Sequence, residues 1–245
     1  MSGKLIIHIP HSSTSIPDEY MNGILLSEEE LASELLWATD SFCDELFDAG
    51  FGTRIVAEYS RLVCDVERMR NDSDEPYAQK GNGLLYTLTQ RGALFRNLDN
   101  ALREKVLEDI YDPHHAKLTS VVDEALSSYG MCLIIDLHSF CDDPCVGENL
   151  PDFCIGTDEF HTPKKLYELA QAHLIGKGYT VSVNYPYSGS MVPAKYYRKD
   201  KRVISMMIEV NKRLYLDCDM KNKSGEYLKT KQIVTELITS IFKSI

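Results

Sequence analysis

The 245-residue chain is 44% hydrophobic and 26% charged, the balance of an ordinary soluble globular protein within reach of one large α/β domain. Its formal net charge of -11 excludes a sequence-independent nucleic-acid binder, which needs a basic face, but leaves room for a local basic pocket. Seven cysteines at irregular spacing without a CxxC point to reduced thiols and a cytoplasmic setting, and the apolar run in "MSGKLIIHIP" is too short for a secretory leader or a membrane span.

In chain order, "KLIIHI" reads as a buried strand and "PHSSTSIP" as a loop closed by two prolines. Residues 27–50 read as one long helix opened by a capping box, Ser27 with Glu30, and stopped by Gly50. "TRIVAE" and "RLVCDV" read as two strands, and residues 67–82 as a polar loop. A helix is expected over 91–111. A second follows with Asp112 as N-cap, Pro113 in its first turn and Gly130 as its stop. "MCLIIDLHSF" is a strand, followed by a loop from about 141 to 152. Then come a short strand "DFCIG", a helix over 162–178, a strand "YTVSV", an irregular loop "NYPYSGSMVPAKYY", a strand "RVISMMIEVN" and an amphipathic helix from Glu226 to Ile245.

Strands and helices alternate without an internal repeat or linker. The expectation is a single α/β domain over 1–245, with a mostly parallel sheet and helices on both faces. Continuous apolar strands agree, since parallel strands are buried on both sides.

The polar residues fall where ligands bind in such sheets, at the carboxyl ends of strands. His11 follows the first strand, His138 ends "CLIIDLH", and Glu209 ends "VISMMIE". Any one strand-end histidine is more often structural, but three such groups on one sheet edge suggest convergence. Two histidines, a carboxylate and a water form a common catalytic zinc site. Asp40, on the first long helix, is the candidate carboxylate ligand, and Asp65 in "RLVCDVER" the runner-up. Asp136, on the same strand face as His138, either orients that histidine or is an ordinary strand-end acid. The sequence has no HExxH, G-x-S-x-G, P-loop or GxGxxG.

An ordered set of short segments resembles the N-formylglutamate amidohydrolase family. "PHSSTSIP" resembles its "PHSG…IP" opening, "SRLVCDVER" its "R-hydrophobic-hydrophobic-D-x-N-R" segment, and "YDPHHAKL" its "Y-x-P-Y-H" segment. "LIIDLHS" matches "DxHS", and "NYPYSG" with "IEVNKRLY" resembles the family's ending. The resemblance runs from residue 10 to residue 215. It implies a mixed sheet between helices, similar to zinc carboxypeptidases and aspartoacylase-type deacylases in a phosphorylase/hydrolase-like arrangement, and one zinc ion. It implies His11 and His138 as ligands, Asp40 in the carboxylate ligand's place, Glu209 as general base, and Arg68 as the grip on a substrate carboxylate. The sequence departs from the pattern at Glu67, where the family has Asn, and at Ser13, where it has Gly.

Arg61, Arg91, His115, Asn184 and Tyr187 complete the expected substrate-binding set, each with an ordinary reading as surface charge, helix cap or turn residue. The expected activity is zinc-dependent hydrolysis of a small anionic N-acyl amino acid such as N-formylglutamate, with no nucleic-acid or membrane partner. One alternative is a carboxypeptidase-like hydrolase of peptides or cell-wall fragments. Another is a binding protein that kept the fold and lost the chemistry.

Overall fold

The computed structural model describes residues 3–142 and 150–245. Its six strands are β1 (Lys4–Ile9), β2 (Thr53–Val56), β3 (Cys132–Phe140), β4 (Phe153–Gly156), β5 (Val181–Val183) and β6 (Val203–Asn211), in the sheet order β2-β1-β3-β6-β4-β5. β1 pairs with β3, β3 with β6, and β4 with β5, all in parallel. β4 runs antiparallel to β6. The fold is therefore α/β with a mixed, mostly parallel sheet, as expected. β3 and β6 are buried at every position, which is why their sequences are continuous apolar runs rather than alternating ones.

The chain divides into two compact units. The first comprises residues 1–9, 42–55 and 119–245 and holds the sheet. Here α6 (Tyr227–Lys243) lies against α5 (Lys164–Gly176) and the short α2 (Cys43–Leu46), and α5 lies against β4 and β5. The apolar stripe of α6, Val234, Leu237, Ile238 and Ile241, is fully buried, as its periodicity predicts.

The second unit comprises residues 10–41 and 56–118. One of its apolar clusters gathers Val63, Cys64, Val66, Leu84, Leu85, Val106, Leu107 and Tyr111, and another Leu31, Ala38, Leu62, Tyr86 and Phe95. The capping box of α1 (Glu28–Ala38) forms as read. The Ser27 hydroxyl accepts from the Glu30 N–H and the Glu30 carboxylate accepts from the Ser27 N–H.

Four expectations are corrected. The helix expected over 27–50 ends at Ala38, and Asp40 sits on the break before α2, not on a helix. "RLVCDV" forms turns, not a strand. Its Leu62, Val63, Cys64 and Val66 are apolar because the second unit's clusters bury them, and a short apolar run cannot be told from a strand by periodicity alone. The helix expected from residue 91 begins only at Asn100, with Asp99 capping the Ala101 N–H. There is also no break at Asp112. α3 (Asn100–Val106) passes through a π-helical turn at Leu107–Tyr111 directly into α4 (Asp112–Tyr129). Proline lacks an N–H and crowds the preceding turn, and the widened turn just before Pro113 accommodates it.

The loop expected at 141–152 falls mostly on residues 143–149, outside the described ones. Among the described residues no cysteine is bridged, and no helix is long and apolar enough to cross a membrane.

Candidate functional site

The parallel pairing of β1, β3 and β6 makes their carboxyl ends neighbours on one edge of the sheet. His138 on β3 stands opposite Glu209 on β6. Both are buried. Burying a carboxylate in an apolar strand is costly unless it is paired or functional, so Glu209 marks that edge. Asp136 lies one pleat repeat before His138, with its Oδ1 3.2 Å from His138 Nε2. The same oxygen lies 2.7 Å from His8 Nδ1, and the other accepts from the Met191 N–H at 2.9 Å. Burial pushes the Asp136 carboxyl up, but His138 and His8 outweigh it and hold the carboxyl well below the usual range.

Residues after this unit's other strands have partners of their own. Asn184 follows β5 with a φ of 57, a left-handed position that asparagine tolerates. Its side chain exchanges hydrogen bonds with Thr157, to the Thr157 N–H and hydroxyl at 2.8 Å each. Tyr187 is partly exposed and packs edge-on against Phe140.

In the second unit the centre is Asp65, which is fully buried. His11 Nε2 lies 2.9 Å from its Oδ1. Its Oδ2 accepts from Arg61 Nη2 at 2.7 Å, Arg61 Nε at 3.2 Å and the Tyr86 hydroxyl at 2.8 Å, with Arg68 Nε 3.5 Å away. Burial raises the Asp65 carboxyl, but Arg61, Arg68 and His11 hold it well below the usual range. Burial, then the Arg61 charge, lowers His11, and Asp65 opposes them. His11 Nδ1 is 3.8 Å from Asp40 Oδ2, and the Asp40 N–H donates to the His11 carbonyl at 2.9 Å. The two carboxylates weighed from sequence thus both approach His11, on opposite ring nitrogens.

Arg68 donates from Nε to the Asn82 carbonyl and lies 4.6 Å over the Tyr77 ring. Arg91 lies 4.9 Å over Trp37. His115 Nε2 is 2.8 Å from the Val66 carbonyl, so a ring nitrogen of that histidine is engaged by the backbone.

Two residues were missed from sequence. His8 sits inside a strand that otherwise reads as plain core. Its signal was there, since an imidazole in an apolar strand is as anomalous as Asp136 in its own. Glu67 was noted only as a departure from a motif, yet its Oε2 lies 3.7 Å from His11 Nε2.

The buried groups fit a divalent metal by donor chemistry. His11 and His138 are buried imidazoles, each beside a buried carboxylate, Asp65 or Asp136, as ligating histidines usually are. A ligating imidazole must be neutral, and the burial of His11 favours that form. The described acids and histidines able to serve as ligands include His8, His11, Glu67, Asp136 and His138.

Comparison with known proteins finds relatives of one family. An N-formylglutamate deformylase of Pseudomonas putida is 28% identical over 222 residues, covering 87% of this chain and 82% of the relative. The crystal structure of an N-formylglutamate amidohydrolase from Ralstonia eutropha JMP134 superposes with a TM-score of 0.86 at 24% identity, over 100% of this chain and 94% of that one. A gene product of Agrobacterium tumefaciens superposes at 0.73 with 22% identity, over 99% and 91% of the two chains. Both structural likenesses show the same fold. The sequence pattern of N-formylglutamate amidohydrolases matches residues 3–216, and with it the segments bearing His11, Asp65, His138 and Glu209, so the chain belongs to the N-formylglutamate amidohydrolase family.

Proposed function

We propose that the protein is a zinc-dependent hydrolase of the amide bond in a small anionic N-acyl amino acid such as N-formylglutamate. The family match over residues 3–216 carries the proposal. That span also supports reading the chain as one catalytic domain, and a zinc-carboxypeptidase-like fold is part of the same proposal. A cytoplasmic setting is part of the same proposal.

In this reading His11 and His138 hold one zinc ion with a carboxylate, taken as Asp40. Asp65 backs His11 from its other nitrogen, and Glu67 is a further acid beside that ring. Bound zinc supplies a Lewis acid that polarises the amide carbonyl and makes a water more acidic. Glu209 takes the proton of the attacking water and returns it to the leaving nitrogen. Glu209 is buried at the carboxyl end of β6. Arg68 meets the substrate carboxylate with its Nη1/Nη2 edge, since Nε is held by Asn82 and a guanidinium fork matches a carboxylate. Arg61 and Arg91 are secondary cations, and Asn184, Tyr187 and His115 shape the walls. Glu67 stands where the family pattern has an asparagine, and turnover of different N-acyl amino acids reads what that exchange does to the choice of amino acid.

The test is turnover of formyl-, acetyl- and succinyl-amino acids and short peptides by protein purified without chelator, before and after metal removal. Release of formate from N-formylglutamate that stops on chelation and returns with zinc is the expected result. Hydrolysis of peptides alone would favour the carboxypeptidase-like reading. A zinc-free protein that zinc does not activate would favour a binding protein.

A further inference from the structure

The Asp136 carboxylate is held by hydrogen bonds from two directions and lies within ion-pair range of His138. It leaves the same face of β3 as His138, two residues on. Its Oδ1 lies between His138 Nε2 at 3.2 Å and His8 Nδ1 at 2.7 Å. Its Oδ2 accepts the Met191 N–H at 2.9 Å. His8 comes from the neighbouring strand β1, where it is the register partner of Asp136. His8, Asp136 and His138 are 0%, 2% and 4% exposed.

Packing does not require this arrangement. The neighbours of His8 in β1 are isoleucines and a leucine, and a β-branched residue would fill the position without desolvating an imidazole. A buried carboxylate is tolerated when its lone pairs are occupied, and His8 and Met191 occupy them here. The Asp136 contact gives the buried His8 imidazole a polar partner that an aliphatic side chain could not be.

We propose that His8 and Asp136 are positioning residues, with His8 fixing the Asp136 carboxylate and Asp136 fixing the ring orientation of His138. This rests on the reading of His138 as a zinc ligand. A carboxylate at one ring nitrogen selects the tautomer and the ring angle of an imidazole and makes the other nitrogen a better donor. A carboxylate anchored at only one point can rotate, and could itself swing onto a cation. The clamp from His8 and the Met191 N–H removes that freedom.

The test compares His8→Ala, His8→Asn, Asp136→Asn and His138→Ala in the full chain. Zinc affinity is measured by competition with a chromophoric chelator, with kcat and KM for N-formylglutamate and the thermal midpoint of the metal-free protein alongside. His8→Asn keeps a hydrogen-bond donor near the Nδ1 position, and Asp136→Asn keeps the shape of the carboxyl. His8→Ala and Asp136→Asn should weaken zinc binding by about 10- to 100-fold and lower kcat more than they raise KM, while His8→Asn recovers most of the loss. If His8→Ala does not fold, Asp136→Asn and His8→Asn carry the comparison. Zinc affinity within about twofold of wild type in folded Asp136→Asn, with binding lost in His138→Ala, overturns the positioning proposal and leaves the ligand assignment standing. Full zinc binding by His138→Ala overturns the ligand assignment and the positioning proposal with it.

Discussion

Asp65 Oδ1 lies 2.9 Å from His11 Nε2, with both side chains buried. The contact makes Asp65 the shared partner of four side chains, because Arg61, Tyr86 and Arg68 approach its other oxygen. A carboxylate so surrounded stabilises the fold through what would be stranded without it.

Asp65→Asn is therefore expected to be strongly destabilising. It leaves the Arg61 guanidinium buried beside a neutral amide, and breaking a buried pair from one side costs about 3–5 kcal/mol. Tyr86→Phe removes one neutral donor to the same oxygen and should cost about 1–2 kcal/mol. Urea unfolding of the metal-free variants measures both. Equal midpoints for Asp65→Asn and wild type would contradict the shared-partner role.

Glu34, which is not among the proposed metal ligands or the base, offers a pH test. It is buried on α1 and accepts the Gln90 N–H at 2.7 Å. Burial raises its carboxyl above the usual value, and Gln90 and Arg91 pull down without cancelling it. The folded state then holds the proton more tightly than the unfolded chain. Its stabilising contribution is full below the unfolded value of about 4.3 and is lost as pH rises through the raised folded value. Glu34→Gln keeps an acceptor for Gln90 without the charge. It should be more stable than wild type at neutral pH, with the difference vanishing toward about pH 4. Chemical denaturation of both proteins across that range is the measurement, and a constant difference would refute it.

Glu209→Gln tests the base assignment. The amide is isosteric but cannot take a proton, so kcat should fall by about 10²- to 10⁴-fold while zinc content is unchanged. Retained turnover would show that the proton goes elsewhere.

Arg68→Lys tests the grip on the substrate. Lysine keeps the charge but loses the planar fork, and bidentate pairing is what distinguishes the two. KM for N-formylglutamate should rise by about tenfold or more with a smaller change in kcat. Because Arg68 also rests on Tyr77 and Asn82, the thermal midpoint is measured in parallel. An unchanged KM would remove Arg68 from the substrate site.

Much of the architecture is legible in the residues themselves. β1, β3 and β6 are apolar runs of strand length with polar residues in or just beyond their carboxyl halves, and the capping box of α1, the glycine stop of α4 and the stripe of α6 form where their residues stand. These signals are local. A run buried on both faces, a hydroxyl three residues before a glutamate, and a glycine after the last turn need no knowledge of distant partners.

What failed depended on partners the local pattern does not show. "RLVCDV" has strand composition but its side chains are buried in a cluster, with no ladder beside them. The mixed sheet itself is as expected; which strand runs antiparallel, β4, is set by its pairing with β6.

The sequence by itself determined the fold class, the ordered family motifs and the placing of His138 and Glu209 near the ends of buried strands, because hydrophobic periodicity and motif order are properties of the chain alone. Only the tertiary structure decided that His8 meets Asp136, that Asp65 gathers His11, Arg61 and Tyr86, and that Asp40 sits on a helix break. The reason is physical. A buried polar group is stabilised by partners within about 3 Å, and which partners come that close is settled by strand register and loop path across separations that no local pattern encodes.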